Sequence, residues 1–267
     1  MRVAVVQLTS TDDLASNLRS AEHWVREAAA AGAAFVALPE MFAYLRREGG
    51  DFPHAQSLDG EILGAVRGWA RELRVRILAG SIAERVPGDT RVYNTSALIS
   101  SAGAIEAIYR KIHLFDVDLG DASGGSYRES QRVAPGKDVV VAETEWGGIG
   151  LSICYDLRFP ELYRELALRG ARFVCVPSAF TPQTGKDHWE VLLRARAIEN
   201  QVFVLAPAQC GRHSPDRASH GRSLIVDPWG VVLAQLGDRP GIALADCDLE
   251  EQDRVRRRVP ALQHRRL

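Results

Sequence analysis

Apolar and polar positions along the chain fall into two alternating periods. Val3 to Leu8 is a short, nearly continuous apolar run, which predicts a buried strand. Helical spacing follows, with Leu14, Leu18, Ala21, Val25 and Ala28 or Ala29 on one face and an end near Gly32. Ala34 to Leu38 reads as a second strand, stopped by Pro39-Glu40. This β-α-β order predicts two parallel neighbouring strands joined by a right-handed crossover. A helix from Gly60 to Leu73 and a strand from Val75 to Ile82 come next.

Val92 to Ile99 and Ile105 to Ile112 form two further strands, and the short connection Ser100-Ser101-Ala102-Gly103 makes them an antiparallel hairpin. Residues 113–137 are polar and glycine-rich without periodicity, a length of loop that is functional or disordered inside a compact domain. Strands at Val139 to Ala142 and Ile149 to Ile153 precede a helix opened by Pro160 and ending near Arg169. A strand (Arg172 to Val176), a helix (Lys186 to Asn200) and a strand (Val202 to Ala206) lead to a polar loop, Gln209 to Ser219. Ser223 to Val226, Val231 to Gln235 and Ile242 to Asp246 read as closing strands.

No low-complexity linker divides the chain, so residues 1–267 are expected to form a single domain. The stretch from about residue 250 carries Arg254, Arg256, Arg257, Arg258, Arg265 and Arg266, interleaved with Val255, Val259 and Leu262, and is expected at a subunit contact. The fold class is α/β, with more strands than one ordinary open sheet carries. Two sheets packed face to face with helices outside would hold them, as would one large mixed sheet, and periodicity does not choose between the two.

Composition narrows the classes of function. At 46% hydrophobic and 25% charged residues, with a formal net charge of −1, the chain gives no electrostatic case for nucleic acid or an anionic membrane. The opening residues look like a strand of the fold rather than a signal peptide, and no apolar run is long enough to span a bilayer. Cys154, Cys175, Cys210 and Cys247 form no CxxC pair, which suits a reducing compartment and a cytoplasmic location. The histidines show no HExxH or paired ligand spacing, so neither a metal nor a cofactor is expected.

Three residues at strand exits make a chemically complete set. Cys154 follows Leu151-Ser152-Ile153, Glu40 follows Phe35-Val36-Ala37-Leu38-Pro39, and Lys111 ends the strand at Tyr109-Arg110. A cysteine at such a place commonly just packs, and a lone Glu or Lys there is commonly a solvated loop residue. Together they supply a thiol, a base to take its proton, and a cation for the negative charge that forms on a substrate carbonyl. The backbone N–H of Tyr155, just past the thiol, would be a second oxyanion donor.

On these residues the sequence resembles the nitrilase superfamily of carbon–nitrogen hydrolases. Leu38-Pro39-Glu40, Tyr109-Arg110-Lys111-Ile112-His113-Leu114-Phe115 and Cys154-Tyr155-Asp156-Leu157-Arg158-Phe159-Pro160-Glu161 are similar to its three signature segments, and the likeness covers nearly the whole chain. The resemblance implies a four-layer α-β-β-α sandwich that assembles as a homodimer or higher homo-oligomer. It assigns Glu40 as general base, Lys111 as stabiliser of the tetrahedral intermediate and Cys154 as nucleophile. It adds Glu129, expected to hold Lys111 and help position substrate. The implied reaction turns a small carboxamide into a carboxylic acid and ammonia through a thioester.

Ser178-Ala179-Phe180, His188 to Arg196, Ala208 to His213 and Gln263 to Arg266 are similar to the branch acting on deaminated glutathione. An ω-amidase acting on α-ketoglutaramate, another aliphatic amidase or N-carbamoyl hydrolase, and a catalytically silent binding member of the fold are the alternatives. Arg212, His213 and Arg217 are candidates for the substrate's carboxylates, or else solvated surface charges. Asp156, Arg158 and Pro160 are expected to shape the turn that aims the thiol rather than touch the substrate.

Overall fold

The computed structural model describes residues 1–120 and 126–266. β1 (Arg2–Gln7) is buried on both faces: Val3 and Val5 point into one core, Ala4 and Val6 into another. Helix α1 (Leu14–Ala30) follows, capped by the Asp13 carboxylate accepting from the Ser16 N–H. β2 (Phe35–Ala37) repeats the alternation, with Phe35 and Ala37 in the first core and Val36 in the second. Then come α2 (Glu61–Leu73), β3 (Arg76–Leu78), β4 (Ile82–Arg85), β5 (Val92–Ile99), β6 (Ile105–Arg110), β7 (Asp116–Asp118) and β8 (Ser126–Arg128). The second half supplies β9 (Val141–Ala142), β10 (Gly148–Leu151), α3 (Pro160–Leu168), β11 (Ala171–Cys175), α4 (Pro182–Asn200) and β12 (Phe203–Ala206). It closes with β13 (Cys210–Ser214), β14 (Arg217–His220), β15 (Leu224–Val226), β16 (Val232–Gln235), β17 (Gly241–Asp246) and α5 (Leu249–Arg258).

Two sheets result. The first runs β17-β1-β2-β3-β5-β4 with β6 added to β5, and the second runs β16-β15-β12-β11-β10-β9. β1, β2 and β3 are parallel neighbours, as the β-α-β reading requires, and β5 and β6 are the expected antiparallel hairpin. α1 and α2 cover the outer face of the first sheet through Ala21, Val25, Ile62, Val66 and Ala70. On the second sheet, Gly150 lies under Leu166 of α3, so Ile149 and Leu151 face the opposite way, into the core shared with Val3, Val5 and Phe35. Helices outside and two sheets inside give the α-β-β-α sandwich, and the choice left open by periodicity falls to two sheets.

Several expectations change in detail. The strand expected over Val75 to Ile82 breaks at Gly80, whose φ is +44° and where a Cβ would come within 2.0 Å of the Pro39 carbonyl oxygen. Only glycine fits so close to the segment that carries Glu40. The loop expected over 113–137 contains the β7–β8 hairpin and a 3-10 turn, Glu129–Gln131; its residues 121–125 lie outside the described residues. The polar loop expected over Gln209 to Ser219 is the β13–β14 hairpin, built from polar alternation that carries no hydrophobic signal. The helix expected from Lys186 begins a turn earlier, where Thr181 caps it and Pro182 takes its first position.

The first part of the arginine-rich stretch, through Arg258, is helical and docked on its own chain. Gln252 is fully buried and donates to the Arg172 and Gln201 carbonyls, while Arg256 donates to those of Ala171 and Gln201. Among the described residues no helix is long and apolar enough to cross a membrane.

Candidate active site

The parallel strands β10, β11 and β12 end side by side, in register Leu151 to Cys175 to Leu205. Their exits are laced together: the Cys154 N–H donates to the Pro177 carbonyl (3.0 Å), Ser178 to Pro207 (3.0 Å) and Gln209 to Ser178 (2.8 Å). The Gln209 side chain then donates to the Glu40 carbonyl at 3.0 Å, joining the exit of β2 in the other sheet to this cluster. The site is therefore assembled where both sheets present strand ends, the edge at which α/β proteins display reactive groups.

Two backbone positions here are strained. Met41, next to Glu40, has φ +51°, and Cys154 has φ +49°. A non-glycine residue in the left-handed region costs about 1–2 kcal/mol, so other contacts must hold it there. Met41 donates its N–H to Ser81 Oγ (3.0 Å). Beneath Cys154, the fully buried Asp156 carboxylate accepts from the Ile153 N–H (2.8 Å), Tyr109 Oη (2.7 Å) and the His113 N–H (3.0 Å), and contacts His113 Nδ1 at 2.7 Å. The Cys154 turn is thereby fastened to the segment that follows β6 and carries Lys111.

Glu40, Lys111, Glu129 and Cys154 converge at the floor of one cavity of about 800 Å³, part of it open to solvent. Lys111, 2% exposed, donates from Nζ to both Glu129 oxygens (3.1 and 2.9 Å) and to Glu40 Oε1 (3.3 Å). Glu40 Oε1 also accepts from Asn94 Nδ2 (2.8 Å), and its Oε2 from the Ala179 N–H (2.8 Å). Glu129 Oε2 accepts in turn from the Phe115 N–H (2.7 Å). Each carboxylate is held by at least one backbone N–H as well as by the lysine.

Burial alone would strip the charge from Lys111, but the Glu129 and Glu40 carboxylates outweigh it and hold the ammonium well above the usual lysine range. The Cys154 thiol is pushed well above its usual range, first by burial, then by the Glu40 charge, with Lys111 opposing. A buried thiol beside a carboxylate is therefore kept protonated at rest. Such a group needs a base in reach at the moment of attack, which is what a carboxylate accepting its hydrogen provides.

The rim of the cavity differs from the floor. Tyr155 lines it, its ring edge-on to Phe115 and Phe159 at centroid distances of 5.1 and 5.4 Å. Arg46, Arg128, Arg158 and Arg217 line it too, and none of the four forms a carboxylate ion pair with a described residue.

Against the expectations from sequence, Arg158 does not merely shape the turn. Its guanidinium lies over the rings of Tyr155 (5.9 Å) and Phe180 (5.5 Å) and lines the cavity. Of the carboxylate candidates, Arg217 lines the cavity and Arg212 does not. His213 is buried, with Nδ1 against the Ser10 carbonyl and Nε2 against Ser219 Oγ, and burial lowers its pKa to about 4. It is neutral and offers no cation. Cys175 and Cys210 are fully buried elsewhere, the latter with its sulfur 3.4 Å from Thr9 Oγ1. Sequence reasoning missed Asn94, the Ala179 N–H and Arg46. Asn94 left a signal, since a polar side chain inside the apolar strand Val92–Ile99 must find a partner.

The carbon–nitrogen hydrolase family model matches residues 2–257. The chain is 45% identical over 98% of its length to a Synechocystis deaminated glutathione amidase, covering 97% of that protein. The solved structure of Caenorhabditis elegans NitFhit superposes with a TM-score of 0.90 at 38% identity; the match covers 99% of this chain and spans 65% of that one. Saccharomyces cerevisiae Nit3, a member of branch 10 of the nitrilase superfamily, superposes with a TM-score of 0.90 at 30% identity, over 100% of this chain and 97% of that one. With its sandwich fold and its convergent strand exits, the chain belongs to the carbon–nitrogen hydrolase family.

Proposed function

We propose that this hydrolase cleaves the amide bond of deaminated glutathione with Cys154 as nucleophile, Glu40 as general base and Lys111 with the Tyr155 N–H as the oxyanion site. The observation that carries the reading is the Glu40–Lys111–Glu129–Cys154 cluster at the floor of a cavity rimmed by arginines that lack carboxylate partners among the described residues. The floor suits an acyl transfer, the rim suits an anionic substrate, and the name of the Synechocystis relative supports this one.

The proton of Cys154 passes to Glu40 as Sγ bonds to the amide carbon. Negative charge then collects on the carbonyl oxygen, where the Lys111 ammonium and the Tyr155 N–H receive it. Glu40 returns its proton to the amide nitrogen, the C–N bond breaks, and an acyl thioester remains. Water gives a proton to Glu40 as its oxygen bonds to the thioester carbon, the C–S bond breaks to release the acid, and Glu40 returns that proton to the Cys154 sulfur. A primary carboxamide would release ammonia. In deaminated glutathione the amide nitrogen belongs to cysteinylglycine, so that dipeptide is the amine that departs, with α-ketoglutarate as the acid. Glu129 serves as a positioning residue, holding Lys111 while Glu40 exchanges its proton.

The whole chain acts as one catalytic domain in this reading, since the site draws on residues from Glu40 to Arg217. The four cysteines are free, which supports a reducing, cytoplasmic setting. A homo-oligomer is part of the proposal. Val191 and Ile198 of α4 are 66% and 50% exposed, and Ile198 adjoins the turn carrying Trp229, itself 58% exposed. A second copy would cover this apolar patch, and Ile198→Asp should shift the sedimentation coefficient to that of a monomer.

Purified protein is to be given deaminated glutathione, α-ketoglutaramate, aliphatic amides and an N-carbamoyl compound, with release of the acid and the amine followed for each. The proposal requires the highest kcat/KM on deaminated glutathione and no turnover by Cys154→Ala. Higher kcat/KM on any other member of the panel would overturn the substrate, and full activity in Cys154→Ala would overturn the mechanism.

A further inference from the structure

Resting on the amidase reading above, we infer that Arg46 and Arg217 form a subsite for a carboxylate on the leaving-amine half of the substrate, selecting amides of an acidic amine over uncharged ones. Both residues line the cavity that holds Cys154, and Arg217 Nη1 donates to the Arg46 carbonyl at 2.8 Å. That bond ties the β13–β14 hairpin to the loop after β2, so two segments distant in sequence present their guanidinium groups at one place.

Among the described residues neither arginine is in an ion pair with a carboxylate. Arg47, the next residue, is ion-paired with Asp12 (3.0 Å), whereas among the described residues the Arg46 side chain donates only to the Arg47 carbonyl (3.1 Å), and its guanidinium stands 4.9 Å from the Phe52 ring centroid. Burial, and then the neighbouring Arg217 charge, lower the Arg46 pKa, with Glu48 and Glu129 opposing. Two half-buried cations held together, neither in contact with a described carboxylate, are ready to accept an anion, and the fork of a guanidinium matches a carboxylate.

Position within the cavity sets which carboxylate this is. Arg158 comes four residues after the nucleophile and lies over Tyr155 and Phe180, so this reading gives its side of the cavity to the acyl half. Arg217 and Thr181 also line an adjoining surface cleft with Lys186 and Arg212. Arg217 thus stands where the cavity meets the surface, with Arg46 bonded to it on the cavity side, and this reading gives that side to the departing amine. In deaminated glutathione the glycine carboxylate lies on that half, several bonds beyond the reacting carbon. A primary amide has nothing to place there.

The test compares deaminated glutathione with its analogue in which only the glycine carboxylate is converted to a carboxamide, on wild-type enzyme, Arg217→Gln and Arg46→Gln. One charge-assisted, fork-shaped contact predicts that the wild type favours the acid by about tenfold in kcat/KM. Both variants should compress that preference to below about threefold, and Arg217→Lys should fall between. Because the two substrates share their acyl half and their leaving nitrogen, a general loss of folding or chemistry lowers both rates and leaves the ratio intact. A wild-type enzyme without preference, or variants that keep the full preference, would overturn the subsite. A wild-type enzyme that turns over neither compound but hydrolyses another amide would instead overturn the substrate reading, a result distinguishable from the first two.

Discussion

The floor and the rim of one cavity solve opposite electrostatic problems. At the floor, Glu40 and Lys111 are buried and Glu129 is partly buried; the ammonium bridges the two carboxylates, and every carboxylate oxygen accepts at least one hydrogen bond. At the rim, Arg46, Arg158 and Arg217 keep their charge without a carboxylate partner among the described residues. A satisfied network is rigid and holds reacting atoms in place, whereas an unsatisfied one is a standing affinity for whatever anion completes it. Chemistry and selection are therefore separable in this molecule, and substitutions in the two regions should fail differently.

The largest effects belong to the floor. Lys111→Met removes the proposed oxyanion cation and leaves the Glu40 and Glu129 carboxylates without it; kcat should fall by on the order of 10³ with little preference among substrates. Steady-state kinetics on two unrelated amides measures this, and a loss confined to one substrate would erase the distinction between floor and rim.

Next in size is the support beneath the floor. Asp156→Ala leaves the Ile153 N–H, Tyr109 Oη and His113 N–H without their acceptor, and denaturant unfolding should show a loss of about 3 kcal/mol. Among the described residues no comparable strut rests on Arg158, so Arg158→Gln should leave stability within about 0.5 kcal/mol. A comparable magnitude is expected from His213, whose folded pKa of about 4 lies below its value of about 6.5 in the unfolded chain. Above pH 6.5 both states are neutral and nothing is lost. As pH falls from 6.5 to 4 the unfolded state takes up a proton that the folded state refuses, so stability should decline by on the order of 3 kcal/mol across that window. Unfolding curves of wild type and His213→Gln at stepped pH read the difference, which should shrink as the acid limit is approached.

A smaller effect sharpens the boundary. Glu129→Gln keeps the shape but halves the negative charge around Lys111, and kcat should fall about tenfold with KM nearly unchanged, since the residue acts through the lysine. A rise in KM alone would instead assign Glu129 to substrate binding and move it to the rim.

What could be read from the sequence follows the same division. Glu40, Lys111 and Cys154 were legible because each ends an apolar strand, and strand ends are recognisable from local pattern. Both sheets follow from alternation of the kind Val3-Ala4-Val5-Val6 shows, although only the folded chain decides that they are two. The partners of the floor were harder to read. The Ala179 N–H that holds Glu40 is a backbone group, with no side-chain signature. Arg46 and Arg217 meet through the β13–β14 hairpin, whose residues Cys210-Gly211-Arg212-His213-Ser214 and Arg217-Ala218-Ser219-His220 alternate polar with polar and so read as loop. Helix α5 read as a basic tail because its buried contacts rest on Gln252 and Val255 alone. The break at Gly80 depends on the closeness of Pro39, a tertiary contact that no local window contains.

Covalent catalysis by Cys154 is the claim on which the rest depends, and acid-quenched turnover of deaminated glutathione followed by peptide mapping tests it directly. The account predicts a ketoglutaryl thioester on the Cys154 peptide within the first turnover, removed by hydroxylamine and absent from Cys154→Ala. Product formation with no acylated Cys154 at any quench time, or an acyl group found on Cys175, Cys210 or Cys247, would contradict it.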